Sequence, residues 1–137
     1  MVTAVDANIF LDLLTGSLAE VKRADAALSA AKKSGSLVVS MICYAEISRN
    51  FASVDKTDEF FALLSCKVDK IEQNVAFRAG QFFEQYKRRG GTRTRILGDF
   101  LIAAHAQLNA DRILSRDTRF FGPGFSRLKA VSPADLI

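Results

Sequence analysis

Histidine and cysteine are scarce in this chain: His105 is the single histidine, and Cys43 and Cys66 are the two cysteines. The cysteines stand far apart and form no CxxC pair, so we expect both to be buried free thiols that pack like small apolar side chains. One histidine and two separated cysteines leave too few ligands for a structural zinc site, which is nearly excluded.

The motifs of nucleophilic and nucleotide-binding sites are also absent. The chain has no GxSxG, no GxGxxG and no Walker loop. Gly90 and Gly91 lack the lysine and the helix start of a phosphate-binding loop. His105 comes six residues after Asp99, about 120° away around a helix, and is therefore a poor partner for that acid. We expect His105 to be a core or partly exposed histidine.

Long apolar runs are missing as well. The longest, such as 100–104, fall far short of the roughly 20 residues that a membrane span needs. An Asp near the N-terminus interrupts the apolar segment that a signal peptide would have. The 137 residues, 49% of them hydrophobic, suffice for one compact core. We therefore expect one cytoplasmic domain over residues 1–137, with no membrane partner.

Positive charge is in excess: 19 Lys and Arg against 15 Asp and Glu give a net charge of +4 and a pI near 9.3. This excess favours a polyanionic partner, although many basic domains bind none. The distribution says more than the sum, because five cations fall within a stretch of nine positions around the two glycines: Lys87, Arg88, Arg89, Arg93 and Arg95.

The hydrophobic pattern alternates between strand and helix along the whole chain. It predicts strands at 2–5, 37–39, 67–71, 112–114 and 128–131, with 67–71 at an edge and 122–124 as a loop. Helices are predicted at 9–14, 21–31, 41–51, 57–64, 74–89 and from 98 onward, with Ser40 as an N-cap. The last of these is apolar on nearly every side and should be buried. The sequence thus predicts an α/β fold with a mostly parallel sheet of four to five strands flanked by helices on both faces.

Four carboxylates occupy positions that structure alone does not require. Asp6 and Asp117 each follow an apolar strand, and ligands of α/β proteins bind at the carboxyl ends of strands. Asp99 opens the buried helix, and Glu46 lies on the third helix beside Ile42. A carboxylate that faces a core is costly unless it is paired or binds a metal. One shared cause for all four is a divalent cation.

Each acid also has an ordinary structural interpretation. Asp6 can be a turn residue with Asn8 as the N-cap of the next helix, and Asp99 can be a helix N-cap or a first-turn acid worth about 1 kcal/mol. The other two can pair with nearby arginines: Glu46 with Arg49, and Asp117 with Arg116 or Arg119.

The cation hypothesis has a chemical basis. Several carboxylates close together repel one another and take up protons unless a hard cation such as Mg²⁺ or Mn²⁺ supplies positive charge. Oxygen ligands alone favour that class of metal over zinc or copper. A metal held in this way activates water and stabilises a phosphodiester during in-line displacement, while the basic stretch holds the neighbouring phosphates.

These residues together resemble the PIN domain, and above all the VapC toxins of bacterial toxin–antitoxin pairs. The resemblance covers nearly the whole chain, in the same order and at similar spacing. It rests on Asp6-Ala7-Asn8 after a strand, Glu46 in a mid-chain helix, the segment 98–106 (GDFLIAAHA) and the segment 114–121 (LSRDTRFF).

The resemblance implies an Mg²⁺- or Mn²⁺-dependent endoribonuclease. It implies that Asp6, Glu46, Asp99 and Asp117 bind the metal, that Asn8 orients Asp6, and that Ser115 helps to hold the site. It further implies an RNA substrate of the tRNA or rRNA class, a homodimer, and a cognate antitoxin that covers the active-site groove. The candidate RNA contacts are Lys87, Arg88, Arg89, Arg93, Arg95 and Arg116.

A second hypothesis is a catalytically silent PIN-like module that binds RNA or a protein. The presence of all four acids argues against it, because a silent module has no need of costly buried charges. An Asp-x-Asp phosphatase is weaker still, since position 8 is Asn.

Overall fold

The computed structural model describes residues 1–91, 95–121, 125 and 128–137. In chain order these residues form β1 (Val2–Val5), α1 (Ala7–Thr15), α2 (Leu18–Lys33), β2 (Ser36–Ser40), α3 (Met41–Ser48), α4 (Val54–Leu63), β3 (Cys66–Asp69), α5 (Gln73–Arg88), α6 (Leu97–Asn109), β4 (Arg112–Leu114), α7 (Thr118–Phe121), β5 (Ala130–Val131) and α8 (Pro133–Leu136).

The five strands form one parallel sheet in the order β3-β2-β1-β4-β5. The chain builds the sheet outward from β1 in one direction as far as β3, then crosses back to add β4 and β5 on the other side. Because parallel crossovers are right-handed, this reversal places the helices before and after it on opposite faces. The predicted α/β class, the parallel sheet and the edge position of β3 are confirmed.

The core lies between the sheet and its helices. Helix α6 is the most deeply buried of them, as its apolar sequence predicts, with Phe100 and all of 102–106 inaccessible. Its Phe100 ring stands at the centre of an aromatic cluster: it meets Phe83 and Tyr86 of α5 at centroid distances of 5.3 Å each. Helices α5 and α6 therefore pack as a rigid pair on one face.

Several predicted element boundaries were wrong, and capping explains most of the differences. Helix α4 begins at Val54 rather than at 57, because the Ser53 hydroxyl accepts a hydrogen bond from the Lys56 amide at 3.1 Å. Helix α2 begins at Leu18 after a Ser17–Glu20 capping box. Strand β5 spans two residues instead of four, because its partner β4 is itself only three residues long. The predicted N-cap Ser40 is confirmed, because its hydroxyl accepts a hydrogen bond from the Cys43 amide at 3.3 Å.

The two four-residue helices α7 and α8 were not predicted, because one turn of helix is too short to show a hydrophobic period. The loop predicted at 122–124 lies outside the described residues.

Both cysteines are buried free thiols, as predicted. Burial raises the pKa of Cys66 to about 12, and burial together with the charge of Asp6 raises the pKa of Cys43 well above its usual range. Both thiols are therefore inert as nucleophiles. Within the part of the chain that the structure describes, we find no helix with the length and hydropathy to cross a membrane.

His105 is a core residue whose ring reaches the edge strand. Its Nε2 atom lies 2.8 Å from Oδ2 of Asp69, the last residue of β3, and the ring is 1% exposed. This contact links the edge strand β3 to helix α6.

We predict that His105→Ala lowers the free energy of unfolding by about 2–4 kcal/mol, because it leaves a cavity and removes the partner of the Asp69 carboxylate. Urea unfolding followed by circular dichroism measures the loss. Lys67→Ala is the control: its ammonium also approaches Asp69, at 3.8 Å, but from solvent, so a change below about 1 kcal/mol is expected. Equal losses for the two variants would contradict this role of His105.

Candidate active site

The site forms where the strand order reverses. Strand β1 pairs with β4, and their carboxyl ends lie side by side: the Asp6 amide donates to the Leu114 carbonyl at 3.0 Å. In open α/β sheets ligands bind outside the carboxyl ends of strands at such a switch point. The residues that follow β1 and β4, Asp6 and Ser115, are both buried there.

The Asp6 carboxylate is held on both oxygens. Oδ1 accepts a hydrogen bond from the Ala7 amide at 2.8 Å, and Oδ2 accepts one from the Ser115 hydroxyl at 2.7 Å. The Ser115 oxygen in turn accepts from the Asp117 amide at 2.9 Å and from Asn8 Nδ2 at 3.3 Å. Since a hydroxyl has one donor and two acceptor positions, Ser115 is fully used, and it links three of the predicted site residues.

Asn8 is not the N-cap of the first helix. Asp6 occupies the cap position, and Asn8 lies inside α1. Its side chain spans the two loops instead: Nδ2 donates to Ser115, and Oδ1 accepts from the Arg116 amide at 3.2 Å. Asn8 therefore acts on Asp6 through Ser115 rather than by direct contact.

Asp6 is unusual among the four acids because it is only 8% exposed. Burial raises the pKa of its carboxyl group, the hydrogen bonds from Ser115 and Ala7 oppose the rise, and the negative charges of Asp99 and Asp117 add to it. A carboxylate in this position favours either a proton or a cation.

The other three acids are close enough for their charges to interact with Asp6, but they are more accessible than predicted. Asp99 and Asp117 are half-buried, and Glu46 is exposed, so the expectation that Glu46 faces into the core was wrong. Glu46 nevertheless belongs to the same electrostatic group: partial desolvation raises its pKa, and so do the charges of Asp6 and Asp99. Asp99 caps its own helix, since its Oδ2 accepts from the Ile96 amide at 3.2 Å.

The partner of Asp117 differs from those suggested by the sequence. Arg95 Nη2 lies 2.7 Å from Asp117 Oδ2, and the Arg95 guanidinium covers the Phe120 ring at 4.2 Å. Arg116, a candidate RNA contact, pairs instead with Asp12 at 2.8 Å. Sequence reasoning missed both contacts, because Arg95 and Asp117 are brought together only by the packing of α6 against β4.

Of the predicted RNA contacts in the basic stretch, Lys87, Arg88 and Arg89 are exposed at the end of α5. Arg88 pairs with Glu84 at 3.2 Å, whereas Lys87 lies over the Phe83 ring at 5.0 Å from its centroid. Arg93 lies outside the described residues.

The donors at this site fit a hard divalent cation in kind, since they are carboxylate oxygens around one buried acid. Among the described residues, no three Asp, Glu, His or Cys side chains converge closely enough to coordinate an ion together. Two contacts described above account for this separation of the acids. Asp117 pairs with Arg95, and Asp99 accepts a hydrogen bond from the start of its own helix.

Comparisons with known proteins show which family the chain belongs to. The family model of the PIN domain matches residues 3–125, and the chain belongs to that family. The chain is 31% identical over 119 residues to "Ribonuclease VapC10" of Mycobacterium tuberculosis, a match that covers 86% of each chain.

Solved structures of VapBC pairs and of a VapC toxin share the fold. VapBC2 from Rickettsia felis, solved with a promoter DNA fragment, aligns with a TM-score of 0.69 at 18% identity and covers 96% of this chain and 98% of that one. VapBC-1 from nontypeable Haemophilus influenzae also aligns at 0.69, with 20% identity and coverage of 98% and 99%. M. tuberculosis VapC20, described as cleaving the sarcin–ricin loop, aligns at 0.59 with 12% identity and coverage of 93% and 98%.

We predict that Asp6→Asn becomes more stable relative to the wild type as the pH rises. The pKa of Asp6 is raised in the folded state above its ordinary value of 3.8, so the folded protein holds this proton more tightly than the unfolded chain. Wild-type stability is therefore lost as the pH rises from that value through the folded-state pKa, and the Asn variant has no such loss.

Urea unfolding with EDTA at about pH 4 and about pH 7 measures the difference between the two proteins. Asp25→Asn, an exposed acid on α2, is the matched control and should track the wild type. A difference between Asp6→Asn and wild type that stays constant with pH would show that Asp6 titrates normally.

Proposed function

We propose that this protein is a metal-dependent endoribonuclease and the toxin of a toxin–antitoxin pair, with residues 1–137 as one PIN domain. One observation carries the proposal: Asp6 is a buried carboxylate at the switch point of the sheet, and its pKa is raised by burial and by the charges of neighbouring acids. The 31% identity to a protein named as a ribonuclease supports RNA as the substrate.

The proposed metal is Mg²⁺ or Mn²⁺, and its proposed ligands are Asp6, Glu46, Asp99 and Asp117. Such an ion supplies an activated water and stabilises the charge that develops on the phosphodiester. The contribution of the chain is to position the acids: Ser115 holds Asp6 Oδ2, and the α6 terminus holds Asp99.

The basic residues have a proposed role in holding the substrate. Lys87, Arg88 and Arg89 present exposed positive charge at the end of α5, and Lys87 lines the same cleft as Arg95, which reaches Asp117. Phosphate contacts from such residues give affinity without sequence specificity. We assign Arg93 and Arg116 to the same role, with the Asp12 pair of Arg116 giving way to RNA.

We also propose a cognate antitoxin as partner, because the solved neighbours include VapB–VapC pairs. A homodimer, a cytoplasmic location and a substrate of the tRNA or rRNA class complete the proposal. The description of VapC20 as cleaving the sarcin–ricin loop supports a structured RNA target.

Two observations favour the silent binding module as a second candidate. Asp117 is already neutralised by Arg95, and no three acids converge among the residues that the structure covers. The module would bind RNA without Mg²⁺ and cleave none. Cleavage assays separate the two candidates directly.

We predict that Asp6→Asn and Asp99→Asn each abolish RNA cleavage and growth inhibition, and that EDTA does the same to the wild type. The loss should exceed the roughly 10- to 100-fold that removal of a supporting residue causes, because a ligand is lost. Sequencing of RNA ends after brief expression in a bacterial host, with Asp25→Asn as control, identifies the cleavage sites. Undiminished cleavage by a folded Asp6→Asn protein contradicts the proposal.

We further predict that Arg95→Gln strengthens Mn²⁺ binding about two- to fivefold, because it removes the cation that competes for Asp117. The side chains of the pair are 30% and 31% exposed, so a gain equivalent to less than about 1 kcal/mol is expected. Calorimetric titration without RNA measures it. Arg88→Gln removes a similar charge that pairs with Glu84 and should leave Mn²⁺ affinity unchanged. Weaker binding by Arg95→Gln would exclude competition at Asp117.

A further inference from the structure

A cleft of about 670 Å³ opens between the last turn of α5 and the first turn of α6. We call it the α5–α6 cleft. Its walls are mainly apolar, and no acidic residue is among its described lining residues: Phe83, Tyr86, Lys87, Gly91, Arg95, Ile96 and Leu97.

One wall of the cleft is rigid. The rings of Phe83 and Tyr86 each pack against Phe100 of the core. Gly91 lies against the Tyr86 ring so closely that a Cβ at this position would come within 2.6 Å of three ring carbons. A side chain at position 91 would therefore force the Tyr86 ring to move.

The opposite wall exposes apolar surface. Ile96 is 68% exposed at the start of α6, and Leu97 beside it is also exposed. Two neighbouring large apolar side chains next to a polar site are a feature of ligand pockets, which combine apolar walls with a few polar groups.

Two cations stand at the cleft, and one of them joins it to the acids. Lys87 Nζ lies over the Phe83 ring, and the Arg95 side chain lines the cleft while its Nη2 contacts Asp117 at 2.7 Å. The Arg95 guanidinium group therefore lies between the cleft and the candidate active site.

We propose that the α5–α6 cleft receives one nucleobase of the RNA, adjacent to the phosphodiester that is cut, with Lys87 and Arg95 on the flanking phosphates. This inference rests on the proposed function. A flat base with anionic phosphates on both sides matches apolar walls flanked by cations. An extended peptide fits less well, because these walls offer few partners for its amide and carbonyl groups.

Binding of intact RNA tests the proposal. The Asp6→Asn protein prevents cleavage, and its affinity is measured by fluorescence anisotropy for two labelled single strands of about eight nucleotides. One strand carries mixed bases, and the other is an abasic ribose-phosphate chain of the same length and charge. We expect the strand with bases to bind about tenfold more tightly, the effect of stacking one base.

Variants made in the Asp6→Asn protein show which residues the preference for bases depends on. Ile96→Ala removes an exposed wall residue, and Phe83→Ala removes an aromatic one; each should reduce the preference for bases to less than about threefold. The matched controls are Leu63→Ala, which is 85% exposed on α4, and Phe77→Ala, which is 69% exposed on another part of α5. Both should keep the full preference. If Phe83→Ala unfolds, Ile96→Ala decides the result, since its side chain contributes little to the core.

An optical measurement reports on the cleft itself. The chain has no Trp and two Tyr, so in a Tyr44→Phe protein Tyr86 is the only tyrosine that emits. RNA with bases should quench this emission after inner-filter correction, and the abasic strand should not.

Equal affinity for the two strands, or a preference that survives Ile96→Ala, overturns the proposal. So does loss of antitoxin binding by Ile96→Ala with RNA binding unchanged, which would assign the cleft to a protein partner. The proposed function is judged separately, by cleavage with the wild-type chain: cleavage without a base preference would retain the nuclease and reject the base site.

Discussion

The reversal of strand order beside β1 is the constraint on which the rest of the structure depends. Strand β1 is paired on both sides, to β2 and to β4, and the chain reaches β4 only after it has formed β2 and β3 on the other side of β1. Residues more than a hundred positions apart, Asp6 and Ser115, thereby come within hydrogen-bonding distance. A sheet that added its strands in one direction would leave no gap between the flanking helices at this point, and Asp6 would be covered.

Two opposing effects meet at the Asp6 carboxylate. Burial and neighbouring charge disfavour its ionised form, while Ser115 and the Ala7 amide favour it. The hydroxyl of Ser115 has no remaining hydrogen-bonding capacity, so it also fixes the loop that carries Asp117. The site is therefore stiff around Asp6 and more adjustable around Glu46, Asp99 and Asp117, which are accessible to solvent.

The sequence predicted the fold well because its elements are strongly patterned. The apolar runs of β1, β2 and β4 and the all-apolar face of α6 each correspond to buried elements. Where prediction failed, the cause was local chemistry or packing. Helix α4 begins earlier than predicted because of a serine N-cap. Helix α7 is a single turn, which is too short to show a hydrophobic period.

At the site, Asp6 and Asp117 could be singled out by their position after strands, but the partners of the acids could not be predicted. The Arg95–Asp117 pair and the role of Asn8 as a support for Ser115 depend on how β1, β4 and α6 pack together. Neither contact can be predicted from the spacing of these residues along the chain. The exposure of Glu46 was missed because one apolar neighbour on a helix does not define which way a long side chain points.

The first turn of α6 connects the candidate active site to the α5–α6 cleft. Asp99 caps this turn through the Ile96 amide, and the same turn supplies Ile96 and Leu97 to the α5–α6 cleft. A ligand that fixes the wall of the cleft would also fix the capping carboxylate, and a ligand on that carboxylate would in turn steady the wall. By thermodynamic reciprocity, any coupling between the acid group and the cleft would be equal in the two directions, with one helical turn as the connecting element.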